Sequence, residues 1–170
     1  LRDRLEAGGK IALTNAAVDS GVYVGWFSAA LFKRPAVKAE QVPPSEFVGL
    51  LIEGPSEVGH YVRPVFATSG NCRITPAGPV ILPDGKPHSW SLSYDPTANG
   101  SNGTVTLRLD GSETILEVEP GLKEQGATLD RFGFCTMRRG GHYVEIYVDD
   151  VHYTTSSAST RRRHTGPASD

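Results

Sequence analysis

A strict two-residue alternation runs through residues 143–150 and constrains the fold more than any other stretch of the chain. Val144, Ile146 and Val148 occupy one set of positions, and tyrosines and acids occupy the other. Successive side chains of a β-strand point to opposite faces, so the pattern predicts a strand with one face on a core and the other turned away from it. Residues 88–94 and 104–109 alternate in the same way.

Glycine and proline divide the rest of the chain into short segments. The 170 residues include 19 Gly and 12 Pro, which interrupt the sequence too often for long helices and favour many short strands joined by turns. Strands are predicted within the segment GVYVGWFSAALF at 21–32 and at residues 47–54, 60–68, 88–94, 104–109, 114–120 and 143–150, with hairpins joining the second to the third and the fourth to the fifth.

The segments between these strands are assigned from their composition. Residues 1–10 are polar and are expected to form a short helix before the first strand, the helical lead-in. Residues 31–46 are expected to form a proline-rich loop. Residues 71–87 are expected to be a loop with one short apolar run, Val80 to Leu82. Leu122 to Gln125 are expected to form a helical turn.

Length and charge indicate one domain with its own core. The 17 Lys+Arg and 19 Asp+Glu give a net charge of −2, which argues against a nucleic-acid or membrane-surface partner, and no stretch has the apolar length of a membrane span. We predict an all-β fold, a two-sheet antiparallel β-sandwich over residues 1–154, followed by a polar tail or linker at 155–170. The start LRDRLEAGG shows no signal peptide, as expected of a mature protein or an excised module.

The sequence carries few signs of cofactor or thiol chemistry. It has no Gly-rich phosphate loop, HExxH, GxSxG or paired CxxC motif. Its two cysteines, Cys72 and Cys135, match no metal or redox spacing, and Cys135 lies in an apolar run, so unpaired thiols are favoured over a disulfide.

The polar face of the 143–150 strand suits a sugar. Rings of Tyr143 and Tyr147 would stack on the C–H face of a pyranose, and the Glu145 carboxylate would accept its hydroxyl protons. An exposed strand whose polar residues serve solubility is the alternative. His142, next to Tyr143 in the chain, is included in the predicted binding set.

Tyr61 and Arg63 share a face of their own strand, and we expect them to line the same groove as the 143–147 set. Through its guanidinium, Arg63 would allow an acidic sugar to bind. The alternative for Arg63 is an ordinary cross-strand ion pair.

Catalysis is less well supported by the sequence than binding. Glu145 and Asp149 share a face, but four strand residues separate them by roughly 13 Å, which is too far for the usual pair of catalytic carboxylates. A lyase needs a base and an arginine, and the chain has residues of those types in His60, Tyr61, Arg63, His142 and Tyr143. We therefore expect a binding protein, with a polysaccharide lyase or glycoside hydrolase as the alternative.

Adjacent carboxylates at Asp149 and Asp150 suggest a metal site at the end of the strand. Hard oxygen ligands of this kind would hold a structural Ca²⁺, and Asp150 falls on the core-facing set of positions, where a carboxylate needs a partner. A turn in which both carboxylates accept backbone N–H groups is the alternative.

The segments GVYVGWFSAALF, YDPTANGSNGTVTLRLDG and VEIYVDDVHYT together resemble the concanavalin A-like jelly rolls, the superfamily of lectins, laminin-G domains and glucanases. The resemblance implies two antiparallel sheets and a concave sheet face that binds an oligosaccharide or polysaccharide. It also implies a secreted or cell-surface, bacterial-type location within a larger multidomain protein. An Asp pair ending the closing strand resembles carbohydrate-binding modules with structural calcium.

Two departures from the superfamily weigh against an enzyme. EIYVDD does not reproduce the Glu-x-Asp-x-x-Glu run of the hydrolases, and the Arg and Gln-x-His strands of the alginate-lyase jelly rolls are missing. The sequence therefore predicts a lectin-like carbohydrate-binding module.

Overall fold

The computed structural model describes residues 1–30, 45–56, 59–69, 71–136 and 143–154. These ranges contain eleven β-strands. They are β1 (Leu5–Ala16), β2 (Gly21–Phe27), β3 (Phe47–Ser56), β4 (Gly59–Thr68), β5 (Asn71–Ile74), β6 (Val80–Ile81), β7 (His88–Asp95), β8 (Thr104–Leu109), β9 (Ser112–Glu117), β10 (Arg131–Thr136) and β11 (Val144–Tyr153).

The strands form two antiparallel sheets. Sheet 1 has the order β11-β1-β7-β8-β9, and sheet 2 has the order β10-β2-β3-β4-β5, with β6 also paired to β4. Both predicted hairpins are confirmed, because β3 pairs with β4 and β7 pairs with β8. The part of the chain described here contains no helix long and apolar enough to cross a membrane.

A single apolar core lies between the two sheets and confirms the β-sandwich. Alternate residues of each strand point into it, as the two-residue period requires. The core includes Leu5, Ala7, Ile11 and Leu13 of β1, Trp90, Leu92 and Tyr94 of β7, Val105, Leu107 and Leu109 of β8, Val22, Val24 and Trp26 of β2, Val48, Leu50 and Ile52 of β3, and Val62 and Phe66 of β4.

Sheet 2 carries a second apolar cluster on its outer face. All seven residues of β2 are buried, because one face of this strand packs on the core and the other belongs to this cluster. The cluster consists of Tyr23, Phe27, Phe47, Leu51, Val65 and Ala67. Gly25 and Gly49 face each other across β2 and β3 within it, and the Phe47 ring fills the space that they leave.

The prediction of a helical lead-in is wrong. Leu5–Ala16 is the second strand of sheet 1, paired with β7 on one side and β11 on the other. Its outward positions are polar or small, so the segment looked like a solvated helix, but long-range pairing and the burial of Leu5 and Ala7 decide its structure. Residues 71–74, expected to be loop, form the short edge strand β5.

The remaining predictions about segments have mixed outcomes. A short 3-10 helix at Lys123–Gln125 matches the expected helical turn, and Val80–Ile81 within the apolar run forms β6. The predicted loop lies outside the described residues except at 45–46, and so does the whole tail at 155–170. The domain boundary at residue 154 stays a prediction.

Both cysteines are free thiols, as the sequence predicted. Cys72 lies on β5 and Cys135 on β10, at opposite edges of sheet 2 and four strand spacings apart, about 19 Å along the sheet. A disulfide needs Cα atoms within about 7 Å. Burial raises the pKa of each thiol to about 11.

Candidate functional site

Tyr143, Glu145 and Tyr147, here called the edge stripe, lie at one margin of the sandwich. In the described part of the chain β11 pairs only with β1, with Tyr147 opposite Ala12 and Ile146 opposite Leu13. Ile146 packs against the core, and so does Val144. The edge stripe therefore points away from the core, on the outer face of sheet 1.

The edge stripe combines exposed rings with an oriented carboxylate. Tyr143 is 61% exposed and Tyr147 59% exposed. The Tyr147 hydroxyl donates a hydrogen bond to Oε1 of Glu145, 3.2 Å away. This bond restrains both side chains while their outer surfaces stay open to solvent, so the stripe can offer a ligand two ring faces and a carboxylate acceptor.

The end of β11 is fastened to both sheets, which holds the strand in place. The Thr154 N–H donates to the Glu6 carbonyl oxygen at 2.8 Å, and the Trp26 indole N–H donates to the Thr154 carbonyl oxygen at 3.0 Å. Tyr153 stacks on Phe132 of β10 with ring centroids 4.3 Å apart. The edge stripe therefore lies on a strand that is tied to the core at its far end.

Asp149 and Asp150 are engaged locally rather than as a pair of free ligands. Oδ1 of Asp149 accepts the backbone N–H of Asp150 at 2.8 Å, and Oδ2 of Asp150 lies 2.7 Å from Nζ of Lys10. The hydrogen bond with Lys10 lowers the pKa of Asp150, and it raises the pKa of Lys10. The alternative of a carboxylate accepting a backbone N–H therefore holds for Asp149.

The expectation that Asp150 faces the core is wrong. The β1–β11 register shifts between Gly8 and Lys10, and Asp150 has a positive φ of 52°, so a bulge turns its exposed side chain outward to Lys10. The lysine ammonium already neutralises one of the two carboxylates. The described residues include no cluster of three or more His, Cys, Asp or Glu side chains that could hold a metal ion. The two side chains alone do not supply the about six to eight oxygens that calcium commonly takes, and the structural calcium expected from the sequence is not tested by these contacts.

Tyr61 and Arg63 lie on the opposite side of the molecule from the edge stripe. Val62, between them on β4, points into the core, so its two neighbours point to the outer face of sheet 2. The expectation that both sets line one groove is therefore wrong. Alternation predicts which residues of a strand share a face, but it does not predict the sheet to which that strand belongs.

Arg63 forms a cross-strand ion pair, which was the alternative to sugar binding in the sequence analysis. Its guanidinium pairs with the Glu53 carboxylate on β3, and Nη1 donates to the Thr75 carbonyl oxygen at 3.5 Å. The side chains of Arg63 and Glu53 are only 17% and 22% exposed. Much of the guanidinium is therefore committed within the protein and little of it faces solvent.

Neither of the two histidines predicted for binding or catalysis, His60 and His142, is seen on the surface of the described residues. His142 lies outside the described residues. His60 is 2% exposed, with Nε2 3.0 Å from the Ser20 hydroxyl and the ring against Gly54. Burial lowers the pKa of His60. Of the described residues considered for a lyase, Tyr61 and Arg63 share one face, while Tyr143 lies across the sandwich and His60 is turned inward.

Three partners that shape these sites were missed by sequence reasoning. Lys10 neutralises Asp150, Ser20 bonds to His60, and Glu53 pairs with Arg63. Lys10 and Ser20 are at least 40 residues from their partners in the chain, so no local pattern predicts the contacts. Glu53 had a signal, because it lies directly opposite Tyr61 in the predicted β3–β4 hairpin.

Two solved structures share the fold of this chain. The sequence matches no family model and no curated protein. An alginate lyase from Pseudomonas aeruginosa superposes with a TM-score of 0.52 at 15% identity, over 90% of this chain and 65% of the lyase chain, less than two thirds of it. The carbohydrate recognition domain of Emp47p superposes with a TM-score of 0.52 at 9% identity, over 90% of this chain and 72% of that domain. The chain therefore has the concanavalin A-like jelly-roll fold.

Proposed function

We propose that this chain is a carbohydrate-binding module and that the edge stripe is its binding surface. The observation that carries the proposal is the Tyr147–Glu145 hydrogen bond, 3.2 Å long, beside two tyrosine rings that are each about 60% exposed. An alginate lyase and a carbohydrate recognition domain share the fold, which supports a carbohydrate ligand for this chain. As the superfamily resemblance implies, the module acts outside the cell within a longer protein.

Binding follows from the properties of these three side chains. A tyrosine ring offers a rigid apolar face to the C–H groups of a sugar at the cost of few rotatable bonds. The Glu145 carboxylate accepts sugar hydroxyl protons, and its bond to Tyr147 reduces the entropy lost on binding. An open surface of this kind provides modest affinity for an accessible glycan chain.

A glycan-cleaving enzyme is the second candidate, at a different place. On the outer face of sheet 2, Glu53 lies directly opposite Tyr61, and Arg63 pairs with the Glu53 carboxylate. A carboxylate, a phenol and a guanidinium side by side supply groups that acid–base cleavage of an acidic glycan uses. Burial and mutual pairing of Glu53 and Arg63 weigh against this candidate.

One experiment tests both candidates. The purified chain is incubated with neutral and uronate-containing polysaccharides, and retention on insoluble polymers is measured together with release of reducing or unsaturated ends. Retention without product is expected. Tyr143→Ala and Tyr147→Ala should each weaken binding by about 3- to 10-fold, which corresponds to about 0.6–1.4 kcal/mol.

Tyr61→Ala is the matched control because it removes an exposed tyrosine from the opposite face. It should leave retention unchanged. Unchanged affinity in both edge-stripe variants would reject the proposed surface, and release of product that Tyr61→Ala abolishes would support the enzyme instead.

A further inference from the structure

The strand that carries the edge stripe contains three carboxylates. Residues 143–154 contain Glu145, Asp149 and Asp150 and no lysine or arginine. The nearest basic side chain across the β1–β11 pair is Lys10, whose ammonium is bound to Asp150 at 2.7 Å. Lys10 lies opposite Asp149 in the strand pair, although its ammonium is bound to Asp150, whereas Asn15 lies opposite Glu145, so the Glu145 carboxylate has no basic side chain opposite it.

These two carboxylates bracket an exposed ring. Glu145, Tyr147 and Asp149 occupy successive outward positions of β11, so each carboxylate lies about 7 Å along the strand from Tyr147. Glu145 also accepts the Tyr147 hydroxyl proton. A sugar stacked on the Tyr147 ring would thus have a carboxylate within reach of its substituents on either side.

Other positive groups on the outer face of sheet 1 are already neutralised. Arg108 pairs with Glu113, with Nε 2.8 Å from a carboxylate oxygen, and Arg4 pairs with Glu6 at 3.0 Å. Arg63, the residue that would have favoured an acidic sugar, lies on the other side of the sandwich and pairs with Glu53. The outer face of sheet 1 therefore presents Arg4, Lys10 and Arg108 to a glycan carboxylate as members of ion pairs.

We infer that the edge stripe selects glycans that carry free amino groups, such as polymers of glucosamine, over uronate-containing ones. The inference rests on the proposed function and adds the charge class of the ligand. A sugar ammonium can pair with Glu145 or Asp149, and it is attracted to the Tyr147 ring face as a cation. A uronate at the same position meets like charge on both sides.

The test compares a soluble glucosamine oligomer that has free amines with its N-acetylated, neutral counterpart and with a uronate oligomer. Affinity is measured by titration calorimetry at about pH 6, where carboxylates are ionised. The free-amine oligomer should bind roughly 10-fold more tightly than the neutral one, with a preference that shrinks as salt is added. The uronate oligomer should bind least.

Glu145→Gln should abolish most of the preference for free amines, because the affinity of the free-amine oligomer falls much further than that of the neutral oligomer. The matched control is Glu117→Gln on β9, an exposed carboxylate on the same outer face, four strands or about 19 Å from β11. It should leave the preference intact.

The outcomes separate the inference from the function on which it rests. Equal affinity for amine and neutral oligomers overturns the inference but keeps the binding module. An equal loss in both glutamate variants also overturns it, because the preference would then come from overall charge. If none of the oligomers binds and the polysaccharide panel shows no retention, the proposed function itself fails.

Discussion

The ring of Phe47 lies over Gly25, in the gap that this glycine leaves on the outer face of sheet 2. A Cβ added to Gly25 would stand 3.0 Å from Cζ of Phe47 and 2.3 Å from the carbonyl oxygen of Val48. The second contact is with backbone, so no side-chain rotation relieves it. Close approach at Gly25 is therefore made by the neighbouring strand and an aromatic ring.

Gly25→Ala is accordingly expected to destabilise the domain by about 2–4 kcal/mol, because the methyl group overpacks a buried sheet. Gly133→Ala is the control: it lies beside Gly25 on β10, and its added Cβ would stand 3.7 Å from the Phe27 ring, an ordinary contact. Urea denaturation of the two variants and the parent measures the difference. Equal stability of the two variants would contradict the packing seen here.

The ion pair between Arg63 and Glu53 predicts a stability effect rather than a binding effect. Arg63→Met leaves the Glu53 carboxylate largely buried without its guanidinium partner and should cost about 1–3 kcal/mol of unfolding free energy. The double variant with Glu53→Gln should recover part of that loss. A thermodynamic cycle of the four proteins gives the coupling, and its absence would show that the pair contributes little.

Local patterns predicted much of the fold. Residues 88–94, 104–109 and 143–150 alternate faithfully because each strand packs one face on the core and turns the other to solvent. Leu5–Ala16 was missed because Glu6, Gly8 and Lys10 face outward and its strand partners lie some 80 to 150 residues away along the chain.

Only part of the candidate site could be predicted from the sequence, because strand partners that are distant in the chain decide the rest. Alternation correctly grouped Glu145 with Tyr147, and Tyr61 with Arg63, because members of each group share one strand face. It could not say that one strand belongs to sheet 1 and the other to sheet 2, since that depends on which distant strands pair. The bulge at Asp150 reversed the expected direction of one carboxylate.

Tyr147→Phe separates ring stacking from orientation of the carboxylate. The phenylalanine keeps the apolar face but removes the hydroxyl that donates to Glu145. Glycan affinity should fall by about 2- to 3-fold, less than in Tyr147→Ala, because only the restraint on Glu145 is lost. Equal losses in the two variants would mean that the hydroxyl, rather than the ring, contributes the binding energy.

His60 predicts a pH dependence of stability in the mildly acidic range. It is buried, its Nε2 bonds to the Ser20 hydroxyl, and its Nδ1 has no hydrogen-bond partner. Burial lowers its pKa in the folded protein below the ordinary value of 6.5. The unfolded chain therefore binds a proton at higher pH than the folded chain does, and stability is fully present above about pH 6.5 and falls as the pH drops below it.

In His60→Gln, a polar group that does not titrate replaces the imidazole and can still bond to Ser20. The variant should lose the decline in melting temperature between about pH 6.5 and pH 5, even if it is less stable throughout. His152→Gln, which replaces an exposed histidine on β11, should retain the decline. Melting curves across this range check both variants. A decline that persists unchanged in His60→Gln would assign the acid sensitivity to other groups, because a residue without a titrating side chain cannot link folding to proton binding.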